Sequence, residues 1–163
     1  MTSDVVVRTA GPDDADAVAV VHHGSWVETY SGLLPASHWE TDTLDGRTER
    51  WRRALADGVP LTVAEVGGRI VGIALAGDAV PVGEHPPVRE RHLFQLYVLA
   101  SHHGTGVGQA LLDAVVPPGT PAQLWVAEDN PRARRFYERN GFRADGARVD
   151  DPDHGIVAVR LAR

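Results

Sequence analysis

Three stretches of this chain carry residue types and spacings that could do chemistry. The first is His103-Gly104-Thr105-Gly106-Val107-Gly108, in which glycine alternates with other residues. Residues with little or no side chain let successive backbone N–H groups turn inward together, an arrangement that binds anions and phosphate above all. The second runs from Asn130 to Phe142 and includes Arg132, Arg134, Phe136, Tyr137 and an Asn140-Gly141 stop. A tyrosine hydroxyl has an ordinary pKa of about 10. The third, Trp26 to Pro35, supplies aromatic surface in Trp26 and Tyr30 and a carboxylate in Glu28. The pairs His22-His23 and His102-His103 are adjacent rather than four apart, and no cluster of His, Asp and Glu points to a metal.

These groups need elements to hold them. The apolar run His92 to Leu99, the glycine run, and Gln109 to Val116 read as strand, loop and helix, with the helix closed by Pro117-Pro118-Gly119. The unpaired N–H groups of such a helix start, and its dipole, add to the pull on a phosphate. Upstream, Val5 to Thr9 reads as a strand. Gly11-Pro12-Asp13-Asp14 opens a helix to His22 or His23; Gly24 ends or interrupts it, and Trp26 continues it or packs beneath the following loop. Ser37 caps a short helix and Asp45 opens another through Arg47, Trp51 and Leu55. Val59–Val66 and Arg69–Ala76 form a hairpin about Gly67-Gly68, Asp78 closes the second strand, and the prolines of 80–88 mark a loop. Ala122–Ala127 is a strand, Pro131 opens a helix, and Phe142–Val149 and Gly155–Leu161 are two last strands about the turn Asp150-Asp151-Pro152-Asp153. Seven strands interleaved with helices imply an α/β chain, a mixed sheet with helices on both faces.

The 163 residues, 43% of them apolar, suit a single domain over 1–163. The chain contains no cysteine, which removes disulfides, thiolate metal ligands and a cysteine nucleophile, and a cytoplasmic location is the natural expectation. Met1-Thr2-Ser3-Asp4 lacks the layout of a signal peptide, and no apolar run is long enough to span a bilayer. A formal charge of -6 argues against a nucleic-acid partner and, if anything, favours a cationic substrate such as an amine.

Two common phosphate ligands fit poorly. Gln109-Ala110 follow Gly108 where a nucleoside-triphosphate loop needs Lys-Ser/Thr, and the third glycine of a dinucleotide loop would fall at Gln109. The loop together with the second stretch resembles the GCN5-related N-acetyltransferase (GNAT) family. That family's acetyl-CoA loop reads Arg/Gln-x-x-Gly-x-Gly/Ala, here His103 to Gly108. Its second hallmark, Asn-x-x-Ala-x-x-Phe-Tyr-x-x-x-Gly-Phe, is matched from Asn130 to Phe142. Leu96-Tyr97-Val98 resembles its fourth strand, and Trp26 to Pro35 the acceptor-side segment of many bacterial members. His103 departs from the usual arginine or glutamine.

The resemblance implies a mostly antiparallel sheet whose fourth and fifth strands splay apart. It also implies acetyl transfer from acetyl-CoA to a primary amine, on a small molecule or a peptide, by direct attack in a ternary complex. The backbone of Tyr97 and Val98 would hold the pantetheine arm. The amides of His103, Gly104, Thr105, Gly106, Val107, Gly108 and Gln109 would hold the pyrophosphate, with Asn130 and Tyr137 on the cofactor from the other side. Tyr137 would be the general acid. His92 is the first candidate for the base, Glu28 and Asp78 are others, and a water chain is the alternative. Trp26, Glu28, Tyr30 and Asp78 are candidates for the acceptor side, and no metal is implied. A homodimer is compatible with the family. The competing reading is a non-catalytic acyl-CoA-binding sensor module.

Overall fold

A computed structural model describes residues 4–151 and 155–163. Met1-Thr2-Ser3 of the N-terminal reading and Pro152-Asp153 of the last expected turn lie outside the described residues. The elements are β1 (Val5–Thr9), α1 (Ala15–Tyr30), α2 (His38–Thr41), α3 (Leu44–Ala56), β2 (Thr62–Val66), β3 (Arg69–Asp78), β4 (Arg91–Val98), α4 (Val107–Val115), β5 (Gln123–Ala127), α5 (Pro131–Arg139), β6 (Arg143–Asp151) and β7 (Ile156–Ala162). The strands form one mixed sheet in the order β1-β2-β3-β4-β5-β7-β6. The chain divides into two compact units: the chain up to Leu75 with Gln95–Val115, and Ala76–Phe94 with Val116–Arg163.

In the first unit β1, β2 and β3 are an antiparallel meander. Val63 pairs with Ile73, and both pack with Ala15, Val18, Val21, Trp51 and Leu55 of α1 and α3. Successive strand residues point to opposite faces, so Gly72 lies on the other face, under α4. A Cβ at Gly72 would sit 2.7 Å from Leu111 Cδ1 and 3.2 Å from Val107 Cγ1. The missing side chain is what lets the helix that follows the glycine loop lie close on β3.

Two sequence expectations change here. Gly24 does not end α1, which continues through Trp26 to Tyr30. Its small size answers a neighbour instead, because a Cβ there would meet Leu99 Cδ2 at 3.3 Å. The cap of α3 is Thr43, whose Oγ1 accepts the Gly46 N–H at 3.1 Å, and Asp45 lies inside the first turn.

In the second unit β5 pairs antiparallel with β7, and β7 with β6. Strands β4 and β5 run parallel, but only His92↔Gln123 and Leu93↔Leu124 pair. The ladder stops there, as expected of splayed fourth and fifth strands.

Gly72→Ala should lower stability by about 1–3 kcal/mol through overpacking against the fully buried Leu111. Urea denaturation at constant m-value checks it. An unchanged midpoint would mean that α4 can lift off β3 without cost.

Candidate functional site

The glycine loop belongs to the first unit. Its backbone divides into a part that holds itself and a part that does not. The Leu99 N–H donates to Val71 O, His102 N–H to Leu99 O and His103 N–H to Ala100 O, at 2.9–3.1 Å, and the Thr105 hydroxyl donates to His102 O. Beyond this point Gly104 and Gly106 have φ of +75° and +92°, in the left-handed region that favours glycine. Both are exposed, and a Cβ at either would meet nothing, so backbone conformation alone selects glycine there. The first intrahelical bond of α4 runs from Ala110 N–H to Gly106 O. Helix geometry therefore offers no acceptor within α4 to the amides of Val107 and Gly108. Val107 is fully buried and anchors this turn. Exposed left-handed glycines followed by a helix start fit an anion such as a pyrophosphate.

His103, at the position where arginine or glutamine is usual, turns back on its own strand. Its ring nitrogen Nε2 donates to Val98 O at 2.8 Å. The imidazole thus braces the loop, and one lone pair of the Val98 carbonyl is already used. Tyr97, beside it on β4, has its ring 5.2 Å from His22, and burial pushes its hydroxyl above the ordinary tyrosine value.

Two of the acceptor-side candidates, Trp26 and Tyr30, adjoin a polar network that the sequence reading did not single out. Asp42, just past α2, accepts from Arg47 through both carboxylate oxygens and pairs with His38 Nε2 at 2.9 Å. Arg47 is only 5% exposed, and its guanidinium lies 5.0 Å from the Trp26 ring centre. Arg47 and His38 hold the Asp42 carboxyl well below the usual carboxylate range. Trp26 also contacts Tyr30, ring centres 4.5 Å apart. The one sequence signal for this network was His38 and Asp42 four residues apart, a helical neighbour spacing. Trp51 points elsewhere, into the core, where its indole N–H donates to His22 Nδ1 at 3.0 Å. Glu28 lies exposed on α1, and its carboxylate accepts the Ala100 N–H at 2.6 Å.

The second unit holds His92, Asp78, Asn130 and Tyr137. His92 is buried and stacks on Phe94 at 4.3 Å. Gln123 Oε1 accepts the Val88 and Arg89 N–H groups, which fixes the amide and aims its NH₂ at His92 Nδ1, 3.1 Å away. The lone pair by which a neutral His92 would take a proton is therefore already engaged, and burial pushes its pKa below the ordinary value. Asp78 is exposed at the end of β3. Asn130 caps α5, its Oδ1 accepting the Ala133 N–H at 3.2 Å. Tyr137 is buried, with its ring against Phe136 and the fully buried Phe142. Its carbonyl accepts the Asn140 and Phe142 N–H groups, which closes the helix. The hallmark segment is thus in part a helix cap and a core anchor. Among the described residues no group of three or more His, Asp and Glu is placed to hold a metal, and no helix is long and apolar enough to cross a membrane.

One consequence is a pH dependence of stability. Burial, with Arg47 nearby, pushes His22 down to about 3. Between that value and the unfolded value of about 6.5 the unfolded chain binds a proton that the folded chain refuses, so stability falls as pH falls. Denaturant midpoints from pH 7 to 5, where carboxylates stay ionised, should decline. They should decline less in His22→Asn, which keeps an acceptor for Trp51. Equal slopes in the two proteins would rule His22 out as a cause.

The family model described as "Acetyltransferase (GNAT) family" matches residues 25–142. A probable N-acetyltransferase of Mycobacterium tuberculosis is 29% identical over 88% of this chain and 83% of its own length. An uncharacterised N-acetyltransferase of Archaeoglobus fulgidus is 31% identical over 84% of this chain and 92% of its own. The fold is similar to that of PaiA N-acetyltransferase from Thermoplasma acidophilum, solved in complex with coenzyme A. The TM-score is 0.67 at 17% identity, over 96% of this chain and 98% of that one. It is also similar to a histone acetyltransferase HPA2-related protein of Corynebacterium glutamicum, with a TM-score of 0.71 at 21% identity, over 99% of this chain and 96% of that one. With both hallmark segments inside the matched span, the chain belongs to the GNAT family of acetyltransferases.

Proposed function

We propose that this protein transfers an acetyl group from acetyl-CoA to a primary amine by direct attack within a ternary complex. The observation that carries the reading is the loop itself. Two exposed left-handed glycines lead into a helix start, and the neighbouring backbone bonds are already made on the other side. The amides from Gly104 to Gly108 would hold the CoA pyrophosphate, and backbone groups of Tyr97 and Val98 the pantetheine arm. Bound acetyl-CoA supplies an acyl thioester.

The amine nitrogen forms a bond to the acyl carbon as the carbon–sulfur bond breaks. Tyr137 is assigned as the general acid that gives its hydroxyl proton to the departing thiolate. The proton lost by the amine goes to water. His92 is left out of the base's role because Gln123 occupies its Nδ1. Trp26 and Tyr30 would offer the acceptor an aromatic surface, and Asp42 and Arg47 keep that surface in shape without adding net charge.

Acetyl-CoA at 100 times its dissociation constant should stabilise the protein by about 2.7 kcal/mol. No shift in melting temperature at millimolar acetyl-CoA would remove the cofactor assignment. A panel of primary amines (a polyamine, an amino acid, an aminoglycoside and a lysine peptide) should include one that releases free CoA thiol. Binding without release for any of them would favour an acyl-CoA sensor instead.

Tyr137→Phe should lower turnover about a hundredfold and leave CoA affinity close to that of the wild type. Full turnover in this variant across the pH range would rule the hydroxyl out as proton donor.

A further inference from the structure

The proposed chemistry leaves Glu28 unused, although it was a candidate for both base and acceptor side. Its position on α1 suggests other work. Gly24 and Glu28 lie four residues apart, on one face of the helix. At Gly24 the absent side chain lets Leu99 come close. One turn further, the Glu28 carboxylate accepts the Ala100 N–H at 2.6 Å. Leu99 is the last residue whose N–H is taken by the sheet, through Val71 O at 3.0 Å. Ala100 therefore carries the first N–H that leaves the sheet, and it opens the short 3-10 turn Ala100–His102 that leads to Gly104.

We propose that Glu28 is a positioning residue for the glycine loop. By holding the Ala100 N–H it fixes the direction in which the chain leaves β4, and so the direction in which the amides of 104–108 face. This rests on the reading of that loop as the CoA pyrophosphate site. Hydrogen bonds to an ionised acceptor are shorter and stronger than neutral ones, which suits a clasp made at the surface. A clasp and a base differ in one testable respect. A glutamine can still accept the Ala100 N–H, but it cannot take a proton from an amine.

Wild type, Glu28→Gln and Glu28→Ala separate the two roles. Three quantities are compared: amide hydrogen exchange over 100–106 without ligand, the dissociation constant for CoA alone, and the pH profile of acetyl-CoA turnover with the best amine of the panel above. Glu28→Ala should exchange faster over 100–106 and bind CoA about tenfold more weakly. Its turnover at saturating acetyl-CoA should stay within about twofold of wild type, with an unmoved pH profile. Glu28→Gln should recover most of the exchange protection and the affinity. Wild-type exchange and affinity in Glu28→Ala would overturn the inference. So would a collapse of turnover in both variants with unchanged CoA affinity, which is the signature of a base. If the wild type fails to bind CoA, the cofactor reading falls, and the exchange comparison still decides whether Glu28 holds the turn.

Discussion

A backbone can offer N–H groups to a ligand only if the fold does not use them and the chain does not collapse onto its own carbonyls. Between β4 and α4 that requirement is met residue by residue. The N–H groups of Leu99, Ala100, His102 and His103 are committed, to Val71, Glu28, Leu99 and Ala100 in turn. Gly104 and Gly106 then take the left-handed conformation before α4 begins. Val107, without solvent exposure, ties the far end to the core. Three other parts of the first unit bear on this stretch: α1 meets its start, β3 supports its helix, and His103 braces its strand.

Two histidines have their Nδ1 committed to a donor from another part of the chain. His22 receives a hydrogen bond from Trp51, and His92 receives one from Gln123. In each case the donor takes the Nδ1 lone pair and so sets the tautomer of the neutral ring. Gln123 is itself fixed by two backbone donors, so the orientation of His92 follows from the path of the chain at Val88 and Arg89. A histidine near the start of a strand is a candidate base by residue type, and the structure adds that its Nδ1 is already hydrogen-bonded.

The order of the strands, the glycine loop and the α5 segment were legible because each rests on local rules: alternation, left-handed glycines, and an asparagine cap ahead of proline. What was not legible shares a different cause. Gly24 reads as a helix stop by propensity, yet its reason is Leu99, far along the chain. Thr43 and Asp45 are both acceptable caps by type, and the geometry of the loop before α3 chose between them. The partners of Glu28 and His92 lie 72 and 31 residues away in sequence. Composition and spacing do not encode such pairings, so residue types suited to catalysis were visible while their occupation by other groups was not.

The Arg47–Asp42 pair and the exposed loop respond differently to ionic strength. Mobile ions screen exposed charges within about 10 Å at 0.1 M salt, and they act much less on a pair withdrawn from water. Arg47 and Asp42 have side chains only 5% and 10% exposed, whereas Gly104 to Gly106 face solvent. Added salt would therefore loosen an anion on the loop long before it disturbed the aromatic surface that Arg47 holds in place. Electrolyte concentration thus distinguishes a charge pair closed off from water from a backbone surface open to it.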